Sequence, residues 1–319
     1  MAETSLRVEI VDRRQAAEDI IVLDLVPVDG APLPLFEPGA HVDVEVGPDL
    51  VRQYSLCGDP ARTDRYRLGI LLDPASRGGS AGIHAQFQVG RQVTISAPRN
   101  NFPLAAGAAA TVLIGGGIGI TPLLAMAHHL HAVGLPFRLH YCARSRAKAA
   151  FLDELASAPY ASSVHLHYSD GGSGQRLDPA RDLPQPSDGA HLYVCGPTGF
   201  MDWVIGSAAT LGYPNARLHK EHFGAEVDTS GDAFEVELSR SGRVVPVAAG
   251  QSIVAALKTV GVRVEVSCEQ GVCGTCLCDV VEGIPDHRDS YLTDDEKAGN
   301  DQMMLCCSRA KTPRLVLDL

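Results

Sequence analysis

The chain has 319 residues and a formal net charge of −11 at pH 7, with 45% hydrophobic and 20% charged residues. This composition is typical of a folded globular protein and argues against a disordered chain, while the length predicts two or three domains because one hydrophobic core rarely exceeds ~250–300 residues. The acidic balance offers no electrostatic footprint for nucleic acid, so we expect none as a partner.

Short alternating runs make up the N-terminal third of the chain. The first residues, MAETSLRVEIVDRRQ, are charged and contain no apolar core segment, which argues against a signal peptide and predicts a cytoplasmic protein. From Arg7 to about Pro103, runs such as RVEIV, HVDVEV and RQVTIS are separated by Gly, Pro and Asp. This pattern predicts the antiparallel strands of a small barrel, interrupted by one helix near Ser80–Phe87.

An alternation of strands and helices begins at Ala110. Apolar strand runs such as TVLIGG and FRLHYCAR alternate with helical runs such as TPLLAMAHHLHAVG. This order predicts a parallel sheet covered on both faces, as in α/β nucleotide-binding domains. The charge-free stretch 104–127 is long enough to span a bilayer, but its central GGGIGITP fits a strand, a tight loop and a helix start better. We therefore expect no membrane segment.

The C-terminal segment follows a polar linker. GAEVDTSGD, residues 224–232, is typical of a connection between domains. Beyond it, FEVELSRSG and RVVPVAAG predict a hairpin, and SIVAALKTVG predicts a helix. We therefore predict three domains, at residues 1–103, 104–226 and 227–319.

Six of the nine cysteines lie in the last 52 residues, and four of them have a recognisable spacing. Cys268, Cys273, Cys276 and Cys306 give C-x4-C-x2-C-x29-C, and the spacing of the first three is that of plant-type ferredoxins, whose thiolates hold a 2Fe–2S cluster. Four thiolates also suit zinc. Structural zinc usually takes two closely spaced pairs of ligands, however, whereas the fourth cysteine here stands apart.

Small residues separate the predicted ligands. Gly271, Gly274 and Thr275 lie where a loop must wrap a cluster closely and offer N–H groups to its sulfurs. Spacing alone leaves Cys307 open as an alternative fourth ligand. Cys278 is expected to pack as a small hydrophobic side chain.

Two short motifs in the barrel segment predict a cofactor site. RQYSL, Arg52–Leu56, places Arg, Tyr and Ser on a strand, although the same pattern fits an ordinary half-buried strand. RGGS, residues 77–80, places Ser80 behind two glycines at a helix start, where free N–H groups and the helix dipole favour a phosphate. A simple helix cap is the alternative interpretation of the second motif.

Two further motifs follow strands of the α/β segment. GGGIGITP, Gly115–Pro122, opens a helix in the position of a nucleotide-binding loop. It departs from G-x-G-x-x-G because residue 120 is Ile, and no acidic residue stands about twenty positions further on. CGPTGFM, Cys195–Met201, repeats the strand-then-glycine arrangement and should lie at the same carboxyl edge of the sheet.

In this order, RQYSL, RGGS, GGGIGITP, CGPTGFM, EHFG, CEQGVCGTC, DHRD and CCSRA resemble the phthalate dioxygenase reductase family, within the ferredoxin–NADP reductase superfamily. The resemblance covers essentially the whole chain. It implies a multidomain fold with an antiparallel β-barrel that binds FMN, an α/β parallel-sheet domain that binds NADH and a C-terminal α+β plant-type ferredoxin domain with a 2Fe–2S cluster. It also implies an enzyme that passes electrons to the Rieske-type oxygenase component of an aromatic dioxygenase or O-demethylase system.

The resemblance implies roles for individual residues as well. Ser55 would lie near the flavin N5 and the Tyr54 ring against the isoalloxazine, with Phe223 of EHFG near the flavin where the hydride passes. Ser55, Cys195 and Phe223 are the expected catalytic residues. The remaining cofactor-binding residues are Arg52 and Leu56 at the flavin, Arg77, Gly78, Gly79 and Ser80 at the FMN phosphate, and Gly116, Gly117, Thr121 and Cys195 at the nicotinamide.

Two alternatives stay open at this point. Arg144 and Arg146 could accept a 2′-phosphate and favour NADPH, whereas Asp170 could hold a ribose 2′-hydroxyl; the resemblance favours NADH. The electron acceptor could be a haem monooxygenase, and a non-enzymatic iron–sulfur redox sensor is the alternative from a different class of protein. The intact flavin and nucleotide motifs argue against the sensor.

Overall fold

The computed structural model describes residues 5–47, 50–76, 78–172, 175–223, 227–266, 269–272 and 274–319. The chain divides into two compact units, Met1–Phe223 and Gly224–Leu319. Each unit has hydrophobic clusters of its own. The domain boundaries at residues 103 and 226 stay predictions.

Six antiparallel strands open the first unit. They are β1 (Ser5–Ala17), β2 (Ile20–Pro27), β3 (His41–Gly47), β4 (Leu50–Ser55), β5 (Tyr66–Leu71) and β6 (Gln92–Ser96), with helix α1 (Gly79–Gln86) between β5 and β6. The order is β4–β3–β6–β1–β2–β5. A bridge between Leu56, just after β4, and Leu68 of β5 joins the two outer strands. The sheet therefore closes into the predicted barrel, and the single predicted helix is present.

A parallel sheet forms the rest of the first unit. Its strands are β7 (Ala110–Gly116), β8 (Phe137–Ala143), β9 (Val164–Tyr168), β10 (Ala190–Cys195) and β11 (Leu218–Glu221), and its helices are α2 (Ile120–Ala132), α3 (Leu152–Ser157), α4 (Pro179–Asp182) and α5 (Thr198–Thr210). The order is β11–β10–β7–β8–β9. Leu113 of β7 packs in one cluster with α2, while Val112 and Ile114 pack in another with α5. The alternation along β7 confirms a sheet that is buried on both faces.

Contacts between the barrel and the parallel sheet fix the two parts of the first unit. Arg67 of β5 makes a bidentate pair with Asp24 of β2, at 2.6 and 2.9 Å, and a third contact of 3.0 Å with Glu154 of α3. Gly69 of β5 lies against the start of α2, since a methyl group added there would be 2.8 Å from Thr121 Cγ2. The loop that precedes α2 is therefore held directly on the barrel.

The second unit is a mixed sheet with two short helices. Its elements are β12 (Phe234–Leu238), β13 (Arg243–Val247), α6 (Ile253–Thr259), β14 (Leu277–Glu282), β15 (Pro285–Asp286), α7 (Asp294–Gly299), β16 (Gln302–Met304), β17 (Arg309–Ala310) and β18 (Arg314–Leu317). The main sheet is ordered β13–β12–β18–β14–β16. The β12–β13 pair is the predicted hairpin, and α6 is the predicted helix. This is the expected α+β domain.

In the part of the chain that the structure covers, no helix combines the length and apolar character that a bilayer crossing requires. The apolar stretch 104–127 instead supplies β7 and the first half of α2.

Candidate functional site

The predicted phosphate site brings two distant motifs together. Arg52 of β4 lies over Gly79, the first residue of α1, so closely that a methyl group at residue 79 would be 2.6 Å from Arg52 Cγ and 2.9 Å from Nε. Ser80 Oγ accepts a hydrogen bond from the Asp73 N–H (3.1 Å). A guanidinium beside a helix N-terminus attracts an anion. Only glycine at residue 79 leaves room for the Arg52 side chain. Arg52 was expected at the flavin, and Arg77, which the resemblance places at the phosphate, lies outside the described residues.

The predicted flavin contacts differ in their exposure. Tyr54 is half-buried against the barrel core, and burial raises the pKa of its phenol. Ser55 is 5% exposed and pairs with His41 of β3, while Leu56 is fully buried in the barrel core. Phe223, which follows β11, is 40% exposed. Contact of these four residues with a flavin stays a prediction.

The carboxyl ends of the parallel strands meet at one edge, as the motifs predicted. Gly115, Cys195 and Glu221 occupy matching positions on β7, β10 and β11. Gly119 of GGGIGITP packs against the backbone after β10, where a methyl group would be 2.6 Å from Gly196 N. Thr121 Oγ1 donates to the Ile118 carbonyl (2.9 Å). The two motifs predicted to bind nicotinamide, GGGIGITP and CGPTGFM, thus form one contiguous loop surface.

This loop surface also faces the barrel. Thr121 contacts Gly69, and Gly69 follows Leu68, the residue bridged to Leu56 of RQYSL. The two motifs that sequence reasoning assigned to flavin and nicotinamide therefore lie around the same part of the barrel wall. The Phe200 ring lies on part of this surface, so close to Gly116 that a methyl group added there would be 2.8 Å from the ring.

The two candidates for ribose recognition are neighbours. The Asp170 N–H donates to the Arg144 carbonyl (2.9 Å) where β8 and β9 end. Arg146 lies two residues further on, in a short turn of 3₁₀-helix over Arg146–Lys148. Asp170, Arg144 and Arg146 thus follow the ends of β8 and β9 at one stretch of the sheet edge.

Glu221 is a site residue that the sequence motifs did not single out. It lies beside Cys195 in the β10–β11 register, and its Oε2 is inaccessible to water and has no hydrogen-bond partner among the described residues. Burial raises the pKa of Glu221 to about 8. Burial, and then the neighbouring Glu221, raise the pKa of the Cys195 thiol well above its ordinary value. An uncharged acid next to the predicted nicotinamide loop follows from this geometry.

The second unit brings two of the predicted cluster ligands together. The Leu305 N–H donates to the Cys276 carbonyl (3.2 Å), which places Cys306 beside Cys276. Interaction with Cys276, and then with Cys307, raises the pKa of the Cys306 thiol. Crowded, buried thiols resist ionisation unless a cation lies between them, so this donor set fits a metal centre that takes thiolates.

Two of the predicted cluster ligands, Cys268 and Cys273, lie outside the described residues. Within the described residues, no group of three or more His, Cys, Asp or Glu side chains is arranged to hold a metal ion. Gly274, between two predicted ligands, lies so close to Tyr291 that a methyl group there would be 2.5 Å from the ring. Gly274 therefore lies in a tightly packed part of the loop, and the wrapping of a cluster by this loop stays a prediction.

Residues of the DHRD and CCSRA motifs make hydrogen bonds that hold the segments around this loop. Asp289 accepts hydrogen bonds from the N–H groups of Leu292 (2.8 Å) and Tyr291 (3.2 Å). Arg309, 2% exposed, donates to the Asp232 carbonyl (2.7 Å) and lies over the Phe234 ring. Because a buried guanidinium is costly unless its donors are satisfied, Arg309 serves to tie the two ends of the domain together.

Comparison with known proteins gives matches along the whole chain. The sequence pattern of the 2Fe-2S iron-sulfur cluster binding domain matches residues 236–311. A vanillate O-demethylase oxidoreductase from Pseudomonas sp. (strain HR199 / DSM 7063) is 50% identical over 308 residues, covering 96% of this chain and 97% of the relative. The phthalate dioxygenase reductase of Burkholderia cepacia is 41% identical over 317 residues, covering 98% and 97%.

Two solved structures are similar to nearly all of this chain. One is a phthalate dioxygenase reductase, a modular structure for electron transfer from pyridine nucleotides to a 2Fe–2S centre, with a TM-score of 0.77, 41% identity and coverage of 99% of this chain and 98% of that one. The other is an intact type IV self-sufficient cytochrome P450 monooxygenase, with a TM-score of 0.82, 39% identity and coverage of 99% and 41%. On this full-length similarity, the chain belongs to the phthalate dioxygenase reductase family of oxidoreductases.

Proposed function

We propose that this protein is an NADH-dependent reductase that passes electrons through FMN and a 2Fe–2S cluster to the terminal oxygenase of a Rieske-type aromatic dioxygenase or O-demethylase system. The observation that carries the proposal is the convergence of RQYSL, RGGS and GGGIGITP on one part of the barrel, in a chain whose second unit pairs Cys276 with Cys306. The relatives named vanillate O-demethylase oxidoreductase and phthalate dioxygenase reductase support the class of acceptor.

FMN, when bound, would accept the two electrons of a hydride and release them singly, because a 2Fe–2S cluster carries one electron at a time. The chain binds and orients the reactants. Arg52 and the N-terminus of α1 hold the phosphate through charge. Gly119 and Thr121 seat the nicotinamide loop against β10 and the barrel. Because the carboxyl group of Glu221 is protonated near neutral pH, it adds no negative charge beside this loop.

The choice of cofactors rests on the family resemblance. FMN rather than FAD follows from the resemblance to phthalate dioxygenase reductase. NADH rather than NADPH follows from the same resemblance, with Asp170 as the residue that would accept a ribose 2′-hydroxyl and Arg144 and Arg146 as those that would instead accept a 2′-phosphate. We place the reaction in the cytoplasm, where the free cysteines of the described residues would stay reduced.

The direction of electron flow follows from typical potentials. Plant-type clusters lie near ~−400 mV, whereas Rieske centres lie at about −150 to +300 mV. Transfer from this cluster to a Rieske centre is therefore downhill.

Cofactor extraction and a paired reduction assay test the proposal. We expect the purified protein to release FMN, to prefer NADH over NADPH in kcat/KM for dye reduction, and to reduce a Rieske oxygenase of the vanillate or phthalate type faster than a bacterial cytochrome P450. Bound FAD, or a preference for NADPH, would contradict the cofactor assignment. Faster reduction of the P450 would contradict the proposed partner.

A reductase for a haem monooxygenase is the second candidate, and one observation favours it. The P450 monooxygenase structure contains a portion similar to 99% of this chain, so this architecture also occurs together with a haem domain. The P450 arm of the assay separates the two functions.

A further inference from the structure

The turn that carries Cys306 also carries a second buried cysteine, which the proposed ligand set leaves unused. The Ser308 N–H donates to the Met304 carbonyl (3.0 Å) and closes this turn. Successive side chains of a strand point to opposite faces, but around a tight turn they diverge less. Both side chains consequently face the interior, with Cys306 5% and Cys307 1% exposed.

Cys307 lies against the loop that carries the first two predicted ligands. A methyl group added to Gly271 would be 2.5 Å from Cys307 Sγ, and Gly271 is fixed by the Ser290 N–H, which donates to its carbonyl (3.0 Å). Among the described residues, the other polar neighbours of the Cys307 thiol are the Cys306 thiol, the Met304 carbonyl at 4.0 Å and Ser308 Oγ at 3.9 Å. The Cys307 thiol therefore borders the cluster loop and lies beside the predicted ligand Cys306.

Cys278 shows what an uninvolved cysteine of this domain looks like. The Cys278 backbone pairs with Met303 between strands β14 and β16, and the Cys278 thiol donates to the Asp279 carbonyl (3.5 Å). Its charged neighbours are Asp279, Asp318 and Arg240, none of which belongs to the cluster loop. Cys278 is thus a matched control for Cys307.

We propose that Cys307 is a reserve ligand of the cluster, a fifth thiol that binds iron when the thiolate of Cys306 is lost. This inference rests on the ligand set of the proposed function. In the exchange, the Cys306 sulfur leaves iron and takes up a proton, while the Cys307 thiol gives up its proton as its sulfur binds iron. The cluster keeps four thiolates and its charge, and no electron is transferred.

The test uses the full-length protein and needs no turnover. Iron and acid-labile sulfide content, visible absorbance and the EPR spectrum of the reduced protein are compared for Cys306→Ala, Cys307→Ala and the double variant. We expect Cys307→Ala to match the wild type. Cys306→Ala should keep a cluster with a shifted EPR spectrum, and the double variant should fall to background iron. Cys306→Ala/Cys278→Ala should behave like Cys306→Ala.

Either of two results would overturn the reserve role. One is loss of the cluster in Cys306→Ala when its apo form unfolds like apo wild type by circular dichroism; if that variant does not fold, Cys306→Val, which also lacks a donor atom, serves in its place with the same expectations. The other is a cluster retained when both Cys306 and Cys307 are replaced. Failure of the proposed function is distinct, because it would appear as a wild type without iron and sulfide, or as a Cys276→Ala variant that keeps its cluster.

Discussion

Glu221 and Cys195 are held side by side by the register of β10 and β11, a relation that no local motif displays. The EHFG motif drew attention to Phe223, two residues after Glu221. The pattern gave no sign of burial, because a glutamate between a lysine and a histidine in LHKEHFG is typical of an exposed strand end. Only pairing with a strand 26 positions earlier in the chain, from Cys195 to Glu221, buries this carboxyl group.

Replacement of Glu221 by Gln should change how stability depends on pH. The folded-state pKa of about 8 lies above the ordinary value of 4.5. Between these values the folded protein holds a proton that the unfolded chain has lost, so the free energy of unfolding falls as pH rises, by up to about 1.4 kcal/mol per pH unit. We expect Glu221→Gln to be more stable than wild type at pH 8 and to lose this advantage towards pH 4.5.

Urea unfolding of the first unit, followed by flavin fluorescence at several pH values, measures this difference. Glu45→Gln, on an exposed residue of β3, is the matched control. Stability curves of Glu221→Gln and wild type that run parallel from pH 5 to pH 8 would show that the carboxyl group is ionised in the folded protein.

Arg52 was predicted to contact the flavin, but its position beside the start of α1 was not predicted. The motif places an arginine on a strand, whereas the structure shows that it lies over Gly79, 27 residues away in the chain. We expect Arg52→Ala to raise the dissociation constant of FMN about 10- to 100-fold, because a charge-assisted bond to phosphate contributes ~1.5–3 kcal/mol. Fluorescence titration of the apoprotein measures it.

Arg91→Ala is the control for this effect. Arg91 lies near the other end of α1, donates to the Gln86 carbonyl (3.2 Å) and covers the Phe87 ring. If the two variants lost equal affinity for FMN, the effect would be one of helix stability rather than of phosphate binding.

At the scale of elements, both sheets of the first unit were predicted from the sequence. The alternating runs predicted barrel strands, which bury one face, and the glycine-bounded apolar runs predicted strands of a parallel sheet, which are buried on both faces. The alternating runs also predicted a small barrel, but they did not predict that a bridge between Leu56 and Leu68 closes it. The acidic helix α7 illustrates side-chain contacts that could not be predicted from the sequence. Its three acids look alike in the sequence, but Glu296 accepts hydrogen bonds from the N–H and Oγ1 of Thr293, each at 2.8 Å, in a capping box.

This difference predicts separate roles within α7. Asp294 and Asp295 are exposed and lie between the third and fourth predicted ligands in the chain, where negative charge can steer a basic partner. We expect Asp294→Asn/Asp295→Asn to slow reduction of the oxygenase at low salt and to flatten the dependence of its rate on ionic strength. Glu296→Gln, which keeps an acceptor for the capping box, is the comparison variant.

Stopped-flow rates at ionic strengths from about 0.01 to 0.5 M provide the measurement, since screening is strong beyond ~10 Å at 0.1 M salt. Superimposable curves for the wild type and the double variant would leave these two aspartates without a steering role.

At the scale of the whole molecule, composition and the polar linker predicted several domains, and the structure groups them into two compact units. The ion pairs of Arg67 with Asp24 and Glu154, which hold the barrel to the parallel sheet, could not be foreseen because they join side chains from three distant segments. The motifs predicted to bind flavin and nicotinamide therefore belong to one unit.

A truncated chain, residues 1–223, should test this grouping. We expect it to fold, to bind FMN and to reduce ferricyanide with NADH, because all of its hydrophobic clusters and predicted cofactor residues lie within the unit. It should not support an oxygenase, since it lacks the four predicted cluster ligands. A truncated protein that is unfolded or free of flavin would contradict the independence of the first unit.

Anaerobic mixing of the full-length protein with NADH, followed by absorbance and then by EPR of the frozen product, tests the central claim most directly. Reduction should bleach the flavin absorbance first and the cluster absorbance after it, and the frozen sample should show the EPR signal of a reduced 2Fe–2S cluster at about one spin per chain. If dithionite produced this signal while NADH reduced the flavin and left the cluster oxidised, the proposed path from nicotinamide through flavin to iron–sulfur cluster would be wrong.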